Sequence, residues 1–208
     1  MRHLLLLFAA LPALAQGPVT VLERRELALT RSAAAPTHRL KVTLAALEGA
    51  GWPAEEIHAA IRQSALILAQ CGVALEKAEL VRISAPAPLR VYYTPLSRAL
   101  VRALALPKPT IYFVADTRQR PAFDAEAIGR GNSGPRPELA DTVWITRAVT
   151  DLGLVLSHEL AHVLMDSGEH SEEPGNLMRE DTAPGNTRLS PAQCARLRET
   201  GSSNGLLR

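Results

Sequence analysis

Apolar and polar positions alternate in some stretches of the chain and recur at helical spacing in others, and these two periods predict its elements. Residues 40–44 alternate between apolar and polar side chains, which predicts a half-buried strand beginning near Arg39. Apolar residues then recur at helical spacing over residues 54–70, which predicts an amphipathic helix. Residues 73–83 predict a second strand.

The second half of the pattern predicts further strands separated by loops. Several prolines predict loops after the second strand, with one short helix at residues 97–104. β-Branched and aromatic residues predict strands at 110–115 and 142–146. Residues 118–139 between them predict a long loop with one irregular edge strand. This order predicts an α+β fold in which helices pack against a mixed sheet.

The first fifteen residues have the pattern of a secretory signal peptide. A short positive segment precedes an apolar run over residues 4–11 and a small-residue triplet that ends at Ala15. The apolar run is too short to cross a bilayer, which disfavours an uncleaved anchor. We expect cleavage after Ala15, export to the periplasm or beyond the cell, and no stable membrane insertion afterwards. Residues 16–37 would then form an N-terminal arm or linker, and residues 38–208 a single domain.

Composition and charge narrow the possible functions. The 208 residues are 47% hydrophobic and 21% charged, which is ordinary for one globular domain. The formal net charge is only +2, and no run of lysine or arginine stands out. Nucleic acid is therefore not an expected partner.

The two cysteines lie far apart in the sequence, and two interpretations are open. Cys71 follows the first predicted helix, and Cys194 lies in the last, which Ser190 would cap and Pro191 would begin. Export would permit a disulfide that ties this last helix to the body of the domain. The alternative is a pair of small buried thiols.

A helical run rich in apolar residues carries the candidate chemistry. Residues 152–165 are apolar almost all round and predict a buried helix, with Thr150 as its cap and Asp151 in its first turn. Within this run stand His158, Glu159 and His162.

The spacing of these residues is the pattern His-Glu-x-x-His. Residues four apart share one face of a helix, so the two imidazoles can bind one metal ion. The intervening Glu159 can act as general base towards a water molecule that the metal activates. A solvated face bearing two histidines is the alternative interpretation. It is disfavoured because the flanking apolar residues would bury both rings without partners.

A third ligand is expected beyond the end of this helix. Asp166 continues the face, but it lies about 12 Å along the axis from His158 and cannot reach the same ion. Gly168 could adopt the left-handed conformation that turns the chain back, and His170 follows it. Three carboxylates compete with His170 for this role, namely Glu169, Glu172 and Glu173.

The residues from His158 to Met178 together resemble the active-site segment of the metzincins. The resemblance rests on His-Glu-x-x-His, a glycine turn, His170 and then Asn176-Leu177-Met178. The short interval between His170 and Met178 is similar to that of the archaemetzincin branch. Two positions depart from the usual motif: Met165 stands where a glycine is usual, and His170 follows His162 by eight residues rather than six.

The resemblance implies a fold, a cofactor and a reaction. It implies a zincin-like mixed sheet with a long buried active-site helix and a small C-terminal subdomain. It also implies that His158, His162 and His170 bind Zn²⁺, that Glu159 is the general base, and that Met178 packs beneath the metal without binding it. An edge strand at residues 127–131 would hold the substrate.

We therefore expect an exported zinc endopeptidase that acts on peptides or proteins. One alternative is an exported zinc-binding module without turnover, although a purely structural site has no need of Glu159. The other is a zinc hydrolase of a non-peptide amide, such as a cell-wall fragment. The sequence predicts no oligomeric state.

Overall fold

The computed structural model describes residues 17–29, 36–118, 127–130 and 136–208. The predicted signal peptide, residues 1–15, and Gly131 of the predicted edge strand lie outside the described residues. Among the residues that are described, no helix is both long and apolar enough to cross a membrane.

Eight strands and four α-helices make up the described residues. The strands are β1 (Thr20–Glu26), β2 (His38–Leu47), β3 (Val73–Ser84), β4 (Val91–Tyr92), β5 (Thr110–Phe113), β6 (Asp116–Thr117), β7 (Ala127–Arg130) and β8 (Thr142–Ile145). The helices are α1 (Ala54–Ala69), α2 (Thr94–Leu104), α3 (Leu152–Met165) and α4 (Pro191–Ser203), and short 3₁₀ helices lie at Ala87–Arg90 and Pro137–Leu139.

The main sheet has six strands in the order β1-β3-β2-β5-β8-β7. The four central strands are parallel, and the two edge strands β1 and β7 run antiparallel to their neighbours. The predicted α+β fold with a mixed sheet is thus confirmed. Strand β1 comes from the segment that the sequence predicted as an arm or linker, and β4 and β6 form a separate small pair.

Both faces of the central part of the sheet are covered, and strand β2 is therefore more buried than its alternating sequence predicts. Helices α1, α3 and α4 form one core with residues such as Leu44, while α2 packs on the opposite face against Tyr112 and Trp144. Strand β2 was predicted to be half-buried, but Val42 and all later residues of the strand are buried. It lies in the middle of the sheet, between β3 and β5, so both of its faces are covered.

One helix differs from its predicted bounds, and the structure decides between the two interpretations of the cysteines. Helix α2 begins at Thr94 rather than near residue 97, because Pro95 fits the first turn of a helix. Cys71 and Cys194 form a disulfide, so the interpretation as two free thiols was wrong. The bond joins the end of α1 to the first half of α4.

Candidate metal centre

Helix α3 carries the site and is completely enclosed. All of its residues from Leu152 to Met165 are buried. Its cap is Asp151, whose carboxylate accepts a hydrogen bond from the backbone N–H of Leu154 at 3.0 Å. The prediction of Thr150 as the cap was wrong, because the helix begins at Leu152 and only the residue directly before it reaches the free N–H groups of the first turn.

The end of α3 is turned by an aspartate rather than by the predicted glycine. Asp166 has φ 45° and ψ 52°, in the left-handed region. The N–H of Asp166 donates to the carbonyl of Val163, and the N–H of Ser167 donates to that of His162. This pair of bonds is a Schellman ending, and its left-handed residue must follow the last helical residue directly. Gly168 comes two positions too late for that role, and its φ is not positive.

Beyond this turn, the chain brings three imidazoles together. The Nε2 atoms of His158 and His162 lie 2.8 Å apart, and those of His162 and His170 lie 3.3 Å apart. One ring nitrogen from each histidine falls within 4.8 Å of the other two. Among the described residues, this group of converging ligand atoms contains these three histidines and no carboxylate.

Hydrogen bonds on the far side of two rings fix which nitrogen carries the proton. Nδ1 of His158 donates to the carbonyl of Leu177 at 2.8 Å, and Nδ1 of His162 donates to that of Ser167 at 2.6 Å. A carbonyl only accepts, so the proton of each neutral ring is on Nδ1. The Nε2 atoms of both rings then present bare lone pairs to one another.

Burial keeps both rings neutral. Desolvation and, to a smaller extent, the nearby His158 lower the pKa of His162 to about 4. Desolvation is also the main cause that lowers the pKa of His158. At neutral pH neither Nε2 is protonated, so the close approach of the two lone pairs is repulsive unless a cation lies between them.

A metal ion fits this arrangement. Two nitrogen ligands of a tetrahedral zinc ion are about 3.3 Å apart when each Zn–N bond is about 2.05 Å. The Nε2 atoms of His162 and His170 have that separation, and those of His158 and His162 are slightly closer. The three histidines therefore form a donor set that could hold one metal ion.

Two of the three competing carboxylates have other partners. Glu169 forms an ion pair with Arg196 at 2.7 Å and accepts a hydrogen bond from Ser167. The Arg196 guanidinium is the main cause that lowers the pKa of the Glu169 carboxyl. Glu173 accepts from the side chain of Asn176 at 3.3 Å. Glu172 is exposed and does not belong to the converging group.

No family model matches the chain, and no curated protein matches it. Solved structures do, and one of them is metalloproteinase-II from Bacteroides fragilis, with a TM-score of 0.54 and 17% sequence identity. The match covers 81% of this chain and 55% of that one, so this chain spans about half of the neighbour's length. The fold is metalloproteinase-like. At this identity the likeness concerns the fold alone.

Met178 is buried, and a backbone hydrogen bond connects its turn to the loop that carries His170. Its exposed fraction is 1%, and its carbonyl accepts from the backbone N–H of Ser171 at 2.7 Å, next to His170. Its own N–H donates to the side chain of Asn176 at 2.9 Å. Met178 therefore sits in a turn that is bonded to the loop carrying the third histidine.

Glu159 is placed as the helix spacing requires, next to His158 on a buried helix. Its exposed fraction is 8%, the same as that of His162. The backbone of β7 passes near this helix, with Cα atoms of the two elements within 8 Å of one another. Strand β7 is an edge of the sheet, as expected for residues 127–130.

Sequence reasoning missed the groups that orient the rings. The carbonyls of Ser167 and Leu177 belong to the backbone, so no residue type marks them. The side chain of Asn176 was also missed as a support of the turn. The sequence does indicate this role, because the side chain of an asparagine in a turn commonly accepts a hydrogen bond from the backbone N–H two residues later, and Asn176 follows Pro-Gly.

Proposed function

We propose that this protein is a metal-dependent hydrolase and, more specifically, an exported zinc endopeptidase of the metzincin type. The observation that carries the proposal is the convergence of three imidazole nitrogens on a buried helix that also bears Glu159. The metalloproteinase-like fold supports the same class of function.

Zinc is the proposed metal because its usual donors are neutral imidazoles in a tetrahedral arrangement. His158, His162 and His170 would hold it and leave one position open. A bound zinc ion supplies Lewis-acid chemistry, in that it acidifies water and polarises a carbonyl oxygen. The hydrogen bonds from Nδ1 to the carbonyls of Leu177 and Ser167 keep two of the rings in the metal-binding tautomer.

Glu159 is proposed to move the proton. Its carboxylate would take a proton from the attacking water as the water oxygen bonds to the peptide carbon. It would then give that proton to the amine nitrogen as the C–N bond breaks. A purely structural metal site would not require this carboxylate, which favours hydrolysis over a binding module without turnover.

A peptide or protein is the proposed substrate. Strand β7 ends the sheet near α3, so its outer edge offers backbone groups to an extended segment. Such a segment would add to the sheet as a further strand and pass the site on α3. Nucleic acid is not proposed as a partner.

Export is part of the proposal. The Cys71–Cys194 disulfide suits an oxidising compartment, and the pattern of residues 1–15 is that of a signal peptide. The metzincin type is supported by the order of His158, Glu159, His162, His170 and Met178, with Met178 in a buried turn.

The test compares Glu159→Gln with wild type in residues 16–208. We expect both proteins to retain one zinc per chain after dialysis against a weak chelator. Hydrolysis of an unfolded protein such as casein should fall by about 10²- to 10⁴-fold in the variant, since the general base is lost. Glu199→Gln, on the exposed side of α4, is the matched control and should change neither quantity.

Four outcomes would contradict parts of the proposal. Wild-type turnover in Glu159→Gln would refute the assigned base, and the absence of zinc from wild type would refute the metal centre. Zinc retention in His158→Ala or His162→Ala would refute the ligand set. If wild type holds zinc but cleaves only a glycopeptide amide and no casein, the non-peptide hydrolase replaces the endopeptidase.

A further inference from the structure

Two side-chain amides face each other between the turn that contains Met178 and helix α4. Nδ2 of Asn176 donates to Oε1 of Gln193 at 2.9 Å, and Nε2 of Gln193 donates to Oδ1 of Asn176 at 3.2 Å. Asn176 has an exposed fraction of 2%. Buried polar groups are costly without partners, so this reciprocal pair fixes both side chains.

Asn176 also fixes the turn that follows it in the chain. Its Oδ1 also accepts from the backbone N–H of Met178 at 2.9 Å, which sets the conformation of Leu177 between them. The N–H of Leu177 is held in turn by the carbonyl of Arg188 at 2.6 Å. Asn176 therefore controls where the carbonyl of Leu177 points.

The turn connects to two of the three histidines. The carbonyl of Leu177 accepts from Nδ1 of His158 at 2.8 Å and orients that ring. The carbonyl of Met178 accepts from the N–H of Ser171 at 2.7 Å, directly after His170. A shift of the turn would therefore move both histidines relative to His162, which is oriented separately by Ser167.

Gln193 is itself held in place by hydrogen bonds at the start of α4. Its Oε1 accepts from the N–H of Ser190 at 2.8 Å, and its own N–H donates to Oγ of Ser190 at 3.2 Å, which together form the capping box of α4. The next residue, Cys194, is bonded to Cys71 at the end of α1. Gln193 is thus fixed by the helix start and by the disulfide beside it.

We propose that Asn176 and Gln193 are positioning residues that set the affinity of the three-histidine centre for its metal. The inference rests on the metal centre of the proposed function but not on the substrate. Groups that orient metal ligands typically change metal affinity by about 10- to 100-fold when they are removed. We expect an effect of that size from a pair that touches none of the histidines.

The experiment measures the zinc dissociation constant by competition with a chromophoric chelator, at a temperature where each metal-free protein is folded. The variants are Asn176→Ala and Gln193→Glu. Gln193→Glu keeps an acceptor for the N–H of Ser190 and for Nδ2 of Asn176, but it cannot donate to Oδ1 of Asn176. The matched control is Arg198→Ala, which removes the hydrogen bond from α4 to the carbonyl of Cys71 and leaves the capping box and both amides in place. Visible absorption after loading with Co²⁺ reports the ligand geometry independently.

We expect zinc binding to weaken by about 10- to 100-fold in both amide variants, with an altered Co²⁺ spectrum. Arg198→Ala should lower the stability of the metal-free protein but change zinc affinity by less than about 2-fold, since the lost bond anchors α4 without involving the amide pair. The double variant Asn176→Ala/Gln193→Glu should bind zinc no more weakly than the poorer single variant, because one pair is lost only once.

Unchanged zinc affinity in the folded amide variants would overturn the inference and leave the metal centre intact. An equal loss in Arg198→Ala would also overturn it, since the effect would then be one of helix stability. If Asn176→Ala does not fold, Gln193→Glu decides. Absence of zinc from wild type would refute the metal centre itself, together with this inference.

Discussion

The disulfide between Cys71 and Cys194 gives the most quantitative stability prediction. The two residues are 123 positions apart, so the bond closes a loop that spans most of the described fold. The perturbation is reduction of the bond in wild type, compared with the variant Cys71→Ala/Cys194→Ala.

The magnitude follows from the entropy of the unfolded chain. Closing a loop of 123 residues removes about 16 cal/mol/K from the unfolded state, which is about 5 kcal/mol at 25 °C. Loss of native disulfides usually costs about 2–5 kcal/mol, so the estimate is at the upper end of that range. For a chain of this size, each kcal/mol lowers Tm by about 2–4 °C. A fall in Tm of roughly 4–20 °C is therefore expected.

The assay is urea unfolding of the metal-free protein, followed by circular dichroism with and without a strong reductant. Metal must be absent because a ligand of the native state adds its own stabilisation. The reductant should destabilise wild type by about 2–5 kcal/mol and should leave the double alanine variant unchanged. The difference between reduced wild type and that variant isolates the packing of the buried sulfurs. A loss below about 1 kcal/mol on reduction would refute the argument from chain entropy.

Substitutions at three positions in or beside α3 test its packing and its ending by the same unfolding assay. Asp166→Ala should be less stable than Asp166→Gly by about 1 kcal/mol, because glycine adopts the left-handed conformation without the cost that a Cβ brings; equal stabilities would contradict this. Gly153→Val should destabilise by about 1–3 kcal/mol, since even a Cβ at this position would lie 2.8 Å from Cβ of Gln63 on α1; unchanged stability would mean that α1 moves aside freely. Leu160→Ala should cost about 2–5 kcal/mol because Leu160 is fully buried in the core that holds the site, and a loss below about 1 kcal/mol would show that the core collapses into the space.

The parts of the site that lie on one helix could be predicted from the sequence. His158, Glu159 and His162 are related by helical spacing alone, and the apolar run around them predicted that the helix is buried. His170 required one further assumption, namely that the chain turns back after the helix. The turn exists, although its left-handed residue is Asp166 and not Gly168.

The parts that depend on distant pairings could not be predicted. Strand β1 belongs to the sheet only through its pairing with β3, and its residues, all exposed, carry no strong apolar alternation. Asn176 and Gln193 are seventeen positions apart in the sequence, and each is an ordinary loop or cap residue when considered alone. The carbonyls that orient His158 and His162 have no side-chain signature at all.

Under the proposed metzincin type, the position where α3 ends accounts for the wide spacing between His162 and His170. In the usual metzincin motif a glycine three residues after the second histidine turns the chain, and the third histidine follows three residues later. Here Met165 holds that position inside the helix, and Asp166 makes the turn. One added helical residue moves the turn about 1.5 Å along the axis and rotates its direction by about 100°. The return path to the other histidines must therefore be longer, and it has four residues from Asp166 to His170 instead of three. If this account is right, shortening the return by deletion of Gly168 should weaken zinc binding in the folded protein, whereas Gly168→Ala, at a position with open space and no positive φ, should not.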